Sequence, residues 1–314
     1  MTEIGGYIEL DTYILPMLHE KAISLNCGRN CLAYLLKTRK INKILLPSFL
    51  CNSVSDVCYR SRVSVRYYSV GLDFLPVGIE LAEDEWVYIV NYYGQLSQAM
   101  IGEFKEKYDR IIVDHAQAYF QMPLEGVDTL YSCRKFFGVP DGAFLYTESI
   151  LGEELPYDVS YDRMHFLCGR FEKEASEFYN EYVENNNFFW HEPIKKMSLL
   201  TKNLLHGIDY DGVKERRSKN YSYLHERLMS VNRLPLSVPE GAFMYPLYID
   251  NGMEIRRYLQ KEKIYIPLLW PNVIEDSKNT IECDMSRNIL PLPIDQRYGE
   301  VEMEYILDHL KRYL

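Results

Sequence analysis

At 314 residues the chain has room for about two domains and needs no disulfide or metal staple to close its core. Its 47% hydrophobic and 25% charged residues are globular proportions, which excludes a disordered or collagen-like chain. The net charge of −10 leaves no basic surplus for phosphate backbones, so no nucleic-acid partner is expected.

The opening MTEIGGYIEL lacks the basic and apolar regions of a signal peptide. No apolar run approaches the roughly 20 residues of a membrane span, so no membrane partner is expected. Seven cysteines (27, 31, 51, 58, 133, 168, 283) contain no C-x-x-C pair, which implies a reduced compartment, a cytoplasmic protein and no metal site. Seven scattered histidines show no metal spacing either. Residues 1–19 read as an N-terminal arm whose GGYIEL (5–10) is either a substrate-side loop or a plain extension.

From there apolar runs alternate with helical patterns. Runs at 43–46, 63–69, 86–91, 110–114, 129–132 and 143–147 predict strands. Segments 30–38, 53–59 and 102–108 between them predict helices. Strands separated by helices imply βαβ crossovers, so the fold class is α/β with a mainly parallel sheet and helices on both faces. Residues 170–185 predict one long helix, with Phe171, Ala175, Phe178 and Tyr182 on its apolar face. It lies in a segment, 148–192, whose eleven acids and three bases hold −8 of the net charge. Residues 196–231 predict further helix. The last eighty predict strand 244–249, helix 253–261, strand 264–267, a loop, strand 289–291 and helix 299–313. This organisation gives a large domain over 20–205 and a small α+β domain over 206–314.

Ligands on open parallel sheets bind beyond the carboxyl ends of strands. Asp114 ends one apolar run, Ser132 and Lys135 follow another, and Gly28-Arg29-Asn30 opens a helix. Singly, each has a bland reading: a cap, a chance S-x-x-K, a turn. Together they match the needs of pyridoxal 5′-phosphate (PLP). Lys135 supplies an amine for its aldehyde, Asp114 a carboxylate for its ring nitrogen, and Ser132 with the amides of 28–30 a phosphate cradle.

At these residues the chain resembles the DegT/DnrJ/EryC1/StrS sugar aminotransferases, of the aspartate aminotransferase fold (fold type I). IIVDHAQAYF (111–120) resembles the family's D-x-A-H/Q-A strand end, and YSCRKFFGVPDGAFLYT (131–147) its S…K segment with the acid-Gly turn Asp141-Gly142. LNCGRNCLAYLL (25–36), LLPSFLCNSV (45–54), VNYYGQL (90–96), MSLLTKNLL (197–205), ERRSKNYSYL (215–224) and ILPLPID (289–295) follow in family order. The resemblance implies a seven-stranded-type sheet, PLP as cofactor, Lys135 as the catalytic amine and an amino transfer, with glutamate as donor and a keto-sugar nucleotide as acceptor. It implies cofactor contacts from Asp114, Ala116, Gln117, Ser132, Gly28, Arg29 and Asn30, a ring-stacking residue at Phe49 or Cys51, and a homodimer. Arg216, Arg217, Lys195 and Lys196 stand available for an anionic substrate. The chain departs from the pattern in its Gly28-Arg29-Asn30 helix start, in Ile194 where the family's inter-subunit asparagine stands, and in its short 21-residue step from Asp114 to Lys135. Two alternatives stay open: a PLP-dependent lyase, and a non-catalytic member that binds or regulates.

Overall fold

A computed structural model describes residues 4–276 and 280–314, so residues 1–3 of the predicted arm and 277–279 of the predicted small domain lie outside it. The apolar runs form one eight-stranded sheet. Its strands are β1 (Ile23–Leu25), β2 (Lys43–Pro47), β3 (Ser64–Val70), β4 (Pro76–Val77), β5 (Trp86–Val90), β6 (Ile111–Asp114), β7 (Asp128–Ser132) and β8 (Ala143–Tyr146). Their spatial order is β1-β8-β7-β6-β5-β2-β3-β4. The pairs among β3, β2, β5, β6 and β7 are parallel, while β8 runs antiparallel to both β7 and β1. The eighth strand beyond the expected seven is β4, a two-residue edge piece antiparallel to β3.

The central strands are buried on both faces, as βαβ connections require, and so read as unbroken apolar runs. Helices α1 (Gly28–Thr38), α2 (Asn52–Arg60) and α3 (Gln98–Tyr108) supply crossovers. The start of α3 is fixed by Ser97, whose side chain accepts from the Met100 amide.

The expected helix over 170–185 is two helices. These are α4 (His165–Glu172) and α5 (Tyr179–Phe188), joined through extended backbone at Lys173 and a 3₁₀ turn. The cause is Gly169: a Cβ there would come within 2.3 Å of the Phe178 ring. In a straight helix, residues nine apart are about 13 Å apart along the axis, so this contact requires the chain to double back. Phe171, expected on the buried face, is 93% exposed.

The region 196–231 likewise divides into α6 (Leu199–Leu205) and α7 (Tyr210–Leu228), each capped by its own side chain, Ser198 and Asp209. Then come β9 (Met244–Tyr248), α8 (Gly252–Lys261), α9 (Pro271–Asp276), α10 (Ile281–Asn288), β10 (Ile289–Pro293) and α11 (Glu300–Leu310). β9 and β10 form a separate antiparallel ribbon, with Leu247 opposite Leu290. Tyr221, Leu224 and Leu228 of α7 pack with Leu290, Leu292 and Met303 in a second core. The strand expected at 264–267 joins neither sheet, although Ile264 and Ile266 are buried in that core. The loop expected after it contains α9 and α10. Among the described residues no helix is long and apolar enough to cross a membrane, and no group of three or more His, Cys, Asp or Glu side chains could hold a metal ion.

Candidate active site

Because β6 and β7 pair in parallel with Asp114 opposite Leu130, their carboxyl ends deliver Asp114 and the Ser132–Lys135 segment to one edge of the sheet. β1 runs in the same direction as β7, through their shared antiparallel partner β8, and so places the N-terminus of α1 there too.

Asp114 is buried, 7% exposed. Its Oδ1 accepts from the Ala116 amide at 2.7 Å and its Oδ2 from the Tyr88 hydroxyl at 2.8 Å. Burial pushes its carboxyl above the usual range, while the Lys135 charge and these two hydrogen bonds pull it back.

Lys135 follows Ser132 through a 3₁₀ turn. Its side chain is exposed, with Nζ 5.4 Å from the centre of the Phe243 ring. Desolvation by the surrounding protein lowers the amine's pKa, opposed by the Asp114 charge and assisted by that of Arg134.

The first turn of α1 uses the Asn30 and Cys31 amides on the Cys27 carbonyl; the Arg29 amide is directed at the Cys27 thiol, and among the described residues the Gly28 N–H has no backbone partner. At Gly28 an added Cβ would meet only Leu130 Cδ1, at 4.0 Å. The Arg29 side chain instead donates to the Asn186 carbonyl at 3.2 Å and lies 4.9 Å from the Trp190 ring. Asn30 is buried and gives its amide to Asn26 Oδ1 and to the carbonyls of Glu192 and Pro193. Both side chains thus hold the 186–193 segment against α1, and what this helix end presents is backbone.

Gln117 is buried and oriented by the Tyr93 amide, which donates to its Oε1 at 2.9 Å. Tyr93 adopts φ 52 to do so. His115, next to Asp114, faces Asn91 through Nδ1 at 3.2 Å, and burial pushes its pKa down to about 3, so its ring is neutral.

Phe49 and Cys51 separate. Phe49 is buried edge-on against Trp270 at 4.5 Å, in the core. Cys51, half-buried at the start of α2, is within electrostatic reach of Lys135. Asp141 is spent on structure: it accepts from the backbone and hydroxyl of Ser198 and from Thr201, tying down the start of α6.

Three cations expected to be free for an anionic substrate are engaged. Arg217 is buried on the carbonyls of Ala242 and Phe243 and on Gln296. Lys195 pairs with Glu192 and Asp158, and Lys196 with Glu154. Arg216 is exposed. Sequence reasoning missed Phe243 and Tyr88. Phe243 has no motif around it. Tyr88 had a signal, since position 88 opposes Ile112 and so shares a sheet face with Asp114, but only a known register shows it.

No family model and no curated protein matches the chain. Solved structures do. A DegT DnrJ EryC1 StrS aminotransferase from Brucella abortus aligns at TM-score 0.64 and 15% identity, over 93% of this chain and 85% of that one. The sugar aminotransferase CalS13 of Micromonospora echinospora gives 0.61 and 17%, over 93% and 87%. NtdA of Bacillus subtilis, with bound cofactor PMP, gives 0.66 and 12%, over 93% and 72%. The chain has the fold of these aminotransferases.

Proposed function

We propose that the protein is a PLP-dependent aminotransferase that passes an amino group from glutamate to a keto-sugar nucleotide. The observation that carries this reading is the meeting of Lys135 and Asp114 at adjacent strand ends, at the sheet edge where α1 begins. The fold it shares with PMP-bound and sugar aminotransferases supports it. The donor set fits PLP: one amine, one buried carboxylate, and helix-start backbone N–H groups for a phosphate.

Bound there, PLP supplies an aldehyde and an electron-accepting ring. Asp114 would hold the ring nitrogen. Gly28 and Arg29 N–H, with the Ser132 hydroxyl, would hold the phosphate, while Asn30 and the Arg29 side chain brace the helix that presents those amides. Ala116 fixes the Asp114 carboxylate through its amide, and Gln117 is positioned for the ring oxygen. With Phe49 buried in the core, Cys51 would be the residue left beside the ring. Lys135 would supply the amine that holds the aldehyde and, when free, would accept the proton from the donor's Cα. Both tasks need the free base, which its desolvated position favours.

We further place the boundary between the large and small domains in the turn joining α6 and α7, and the protein as a cytoplasmic homodimer, whose subunit number sedimentation measures directly. Added PLP should produce a visible absorbance band that Lys135→Ala abolishes. Glutamate should then yield 2-oxoglutarate and pyridoxamine phosphate, a product pair that a lyase does not make. A protein that stays colourless with PLP rejects the proposal.

A further inference from the structure

The strand β5 carries a hydroxyl into the interior directly onto the carboxylate that the proposed chemistry needs. We infer that Tyr88 is a positioning residue: its hydroxyl, donated to Asp114 Oδ2 at 2.8 Å, fixes the orientation of that carboxylate and keeps it ionised. The inference rests on the proposed function for its catalytic meaning, though not for its geometry.

Tyr88 and Asp114 are both buried, 1% and 7% exposed. Sheet register brings them together, because Tyr88 opposes Ile112 on β6 and Asp114 is two residues further along the same face. With Oδ1 held by the Ala116 amide and Oδ2 by Tyr88, the carboxylate has one oxygen bonded from its own turn and one from the neighbouring strand. A hydroxyl donates to an ionised carboxylate far better than to a protonated one, so the bond favours the charged form. The other groups facing Asp114 are few. Lys135, beyond β7, is the cation; Cys31 from α1 and Tyr92 after β5 are thiol and phenol whose pKa values are raised, so both are neutral. His115 beside it is neutral as well. Among the described residues Lys135 is the cation that opposes burial most, and the Ala116 and Tyr88 hydrogen bonds add to it.

Tyr68 provides an internal control. It is buried too, and its hydroxyl donates to the Tyr88 backbone carbonyl at 2.8 Å without touching Asp114. The test is the titration of the Asp114 carboxyl carbon by ¹³C NMR in cofactor-free protein, the resonance being assigned with Asp114→Asn. Tyr88→Phe should raise the midpoint by about one pH unit, and Tyr68→Phe should leave it in place. An unmoved midpoint in Tyr88→Phe, or an equal rise in Tyr68→Phe, overturns the inference.

PLP binding, followed by absorbance, gives the second readout. Tyr88→Phe should weaken it about tenfold in the natural background and not at all in the Asp114→Asn background. Equal losses in both backgrounds also overturn it. If the unmodified protein takes up no PLP, the functional reading falls, and the carboxyl titration alone decides the role of Tyr88.

Discussion

Asp114 holds a charge in a place that disfavours charge. Burial raises its folded pKa above the value of about 3.9 for an unfolded aspartate, so the folded state binds more protons above that pH. Stability in the cofactor-free protein therefore falls as pH rises through this window, the reverse of a salt-bridged carboxylate. Asp114→Asn should accordingly stabilise cofactor-free protein at pH 7 by about 1 kcal/mol while weakening PLP binding, the exchange expected where a functional group sits under strain. Urea denaturation at pH 4 and pH 7 checks it: the gain should be larger at pH 7. Asp114, Ser132 and Lys135 were legible in the sequence because each closes or follows an apolar run, where a polar group is costly unless it is put to use. The orientations of Arg29 and Asn30 were not, since their partners lie more than 150 residues away in the chain. Nor could a single sequence separate Phe49, buried in the core against Trp270, from Cys51, half-buried at the start of α2 two residues on.

The pair α4 and α5 shows what periodicity leaves undetermined. An apolar repeat at 171, 175, 178 and 182 fits one straight rod, and it fits equally a chain folded back at Lys173. What decides it is the absence of a side chain at Gly169, where Phe178 rests on the backbone. Gly169→Val would drive that ring outward and should destabilise this hairpin by about 1–2 kcal/mol, seen as faster amide hydrogen exchange over 165–188 with little change in the sheet. Short elements escaped for a different reason. β1 has three residues and β4 two, so neither carries enough pattern to be read, and both exist because a neighbouring strand offers an edge. The long central strands were readable because burial on both faces leaves no room for polar residues.

Over the whole molecule, the −8 of the 148–192 segment is partly met by bases from elsewhere. Glu153 pairs with Lys37, Glu154 with Lys196 and Glu174 with Lys263. Three of the eleven acids are thus held in exposed, solvent-screened pairs within the molecule. Acid sensitivity arises instead from two buried imidazoles. His19, wedged among Tyr119, Tyr131 and Tyr146, has its pKa pushed down to about 4 by burial, and His115 to about 3. Both are lower than the unfolded value near 6.5, so unfolded chain takes up protons first and stability drops as pH falls from about 6.5 toward 4. For His19 alone the loss is on the order of 3 kcal/mol across that window. The urea midpoint should decline over it, and His19→Gln should flatten the slope.

Besides the Phe243 ring, the C-terminal region reaches the lysine through the peptide that follows it. The carbonyl of Phe136, the residue after Lys135, accepts from Gln296 Nε2 at 2.7 Å and from Arg217 at 3.4 Å, and Arg217 is itself braced by Gln296. Gln296→Leu should cost about 1–2 kcal/mol by stranding that carbonyl, measured by thermal or urea unfolding. The same two bonds also set a mechanical condition. A rotation of α7 against the sheet must either break them or carry the peptide beside Lys135 along with it. The C-terminal unit is therefore coupled to the sheet like a lever whose fulcrum lies one residue from the Lys135 amine.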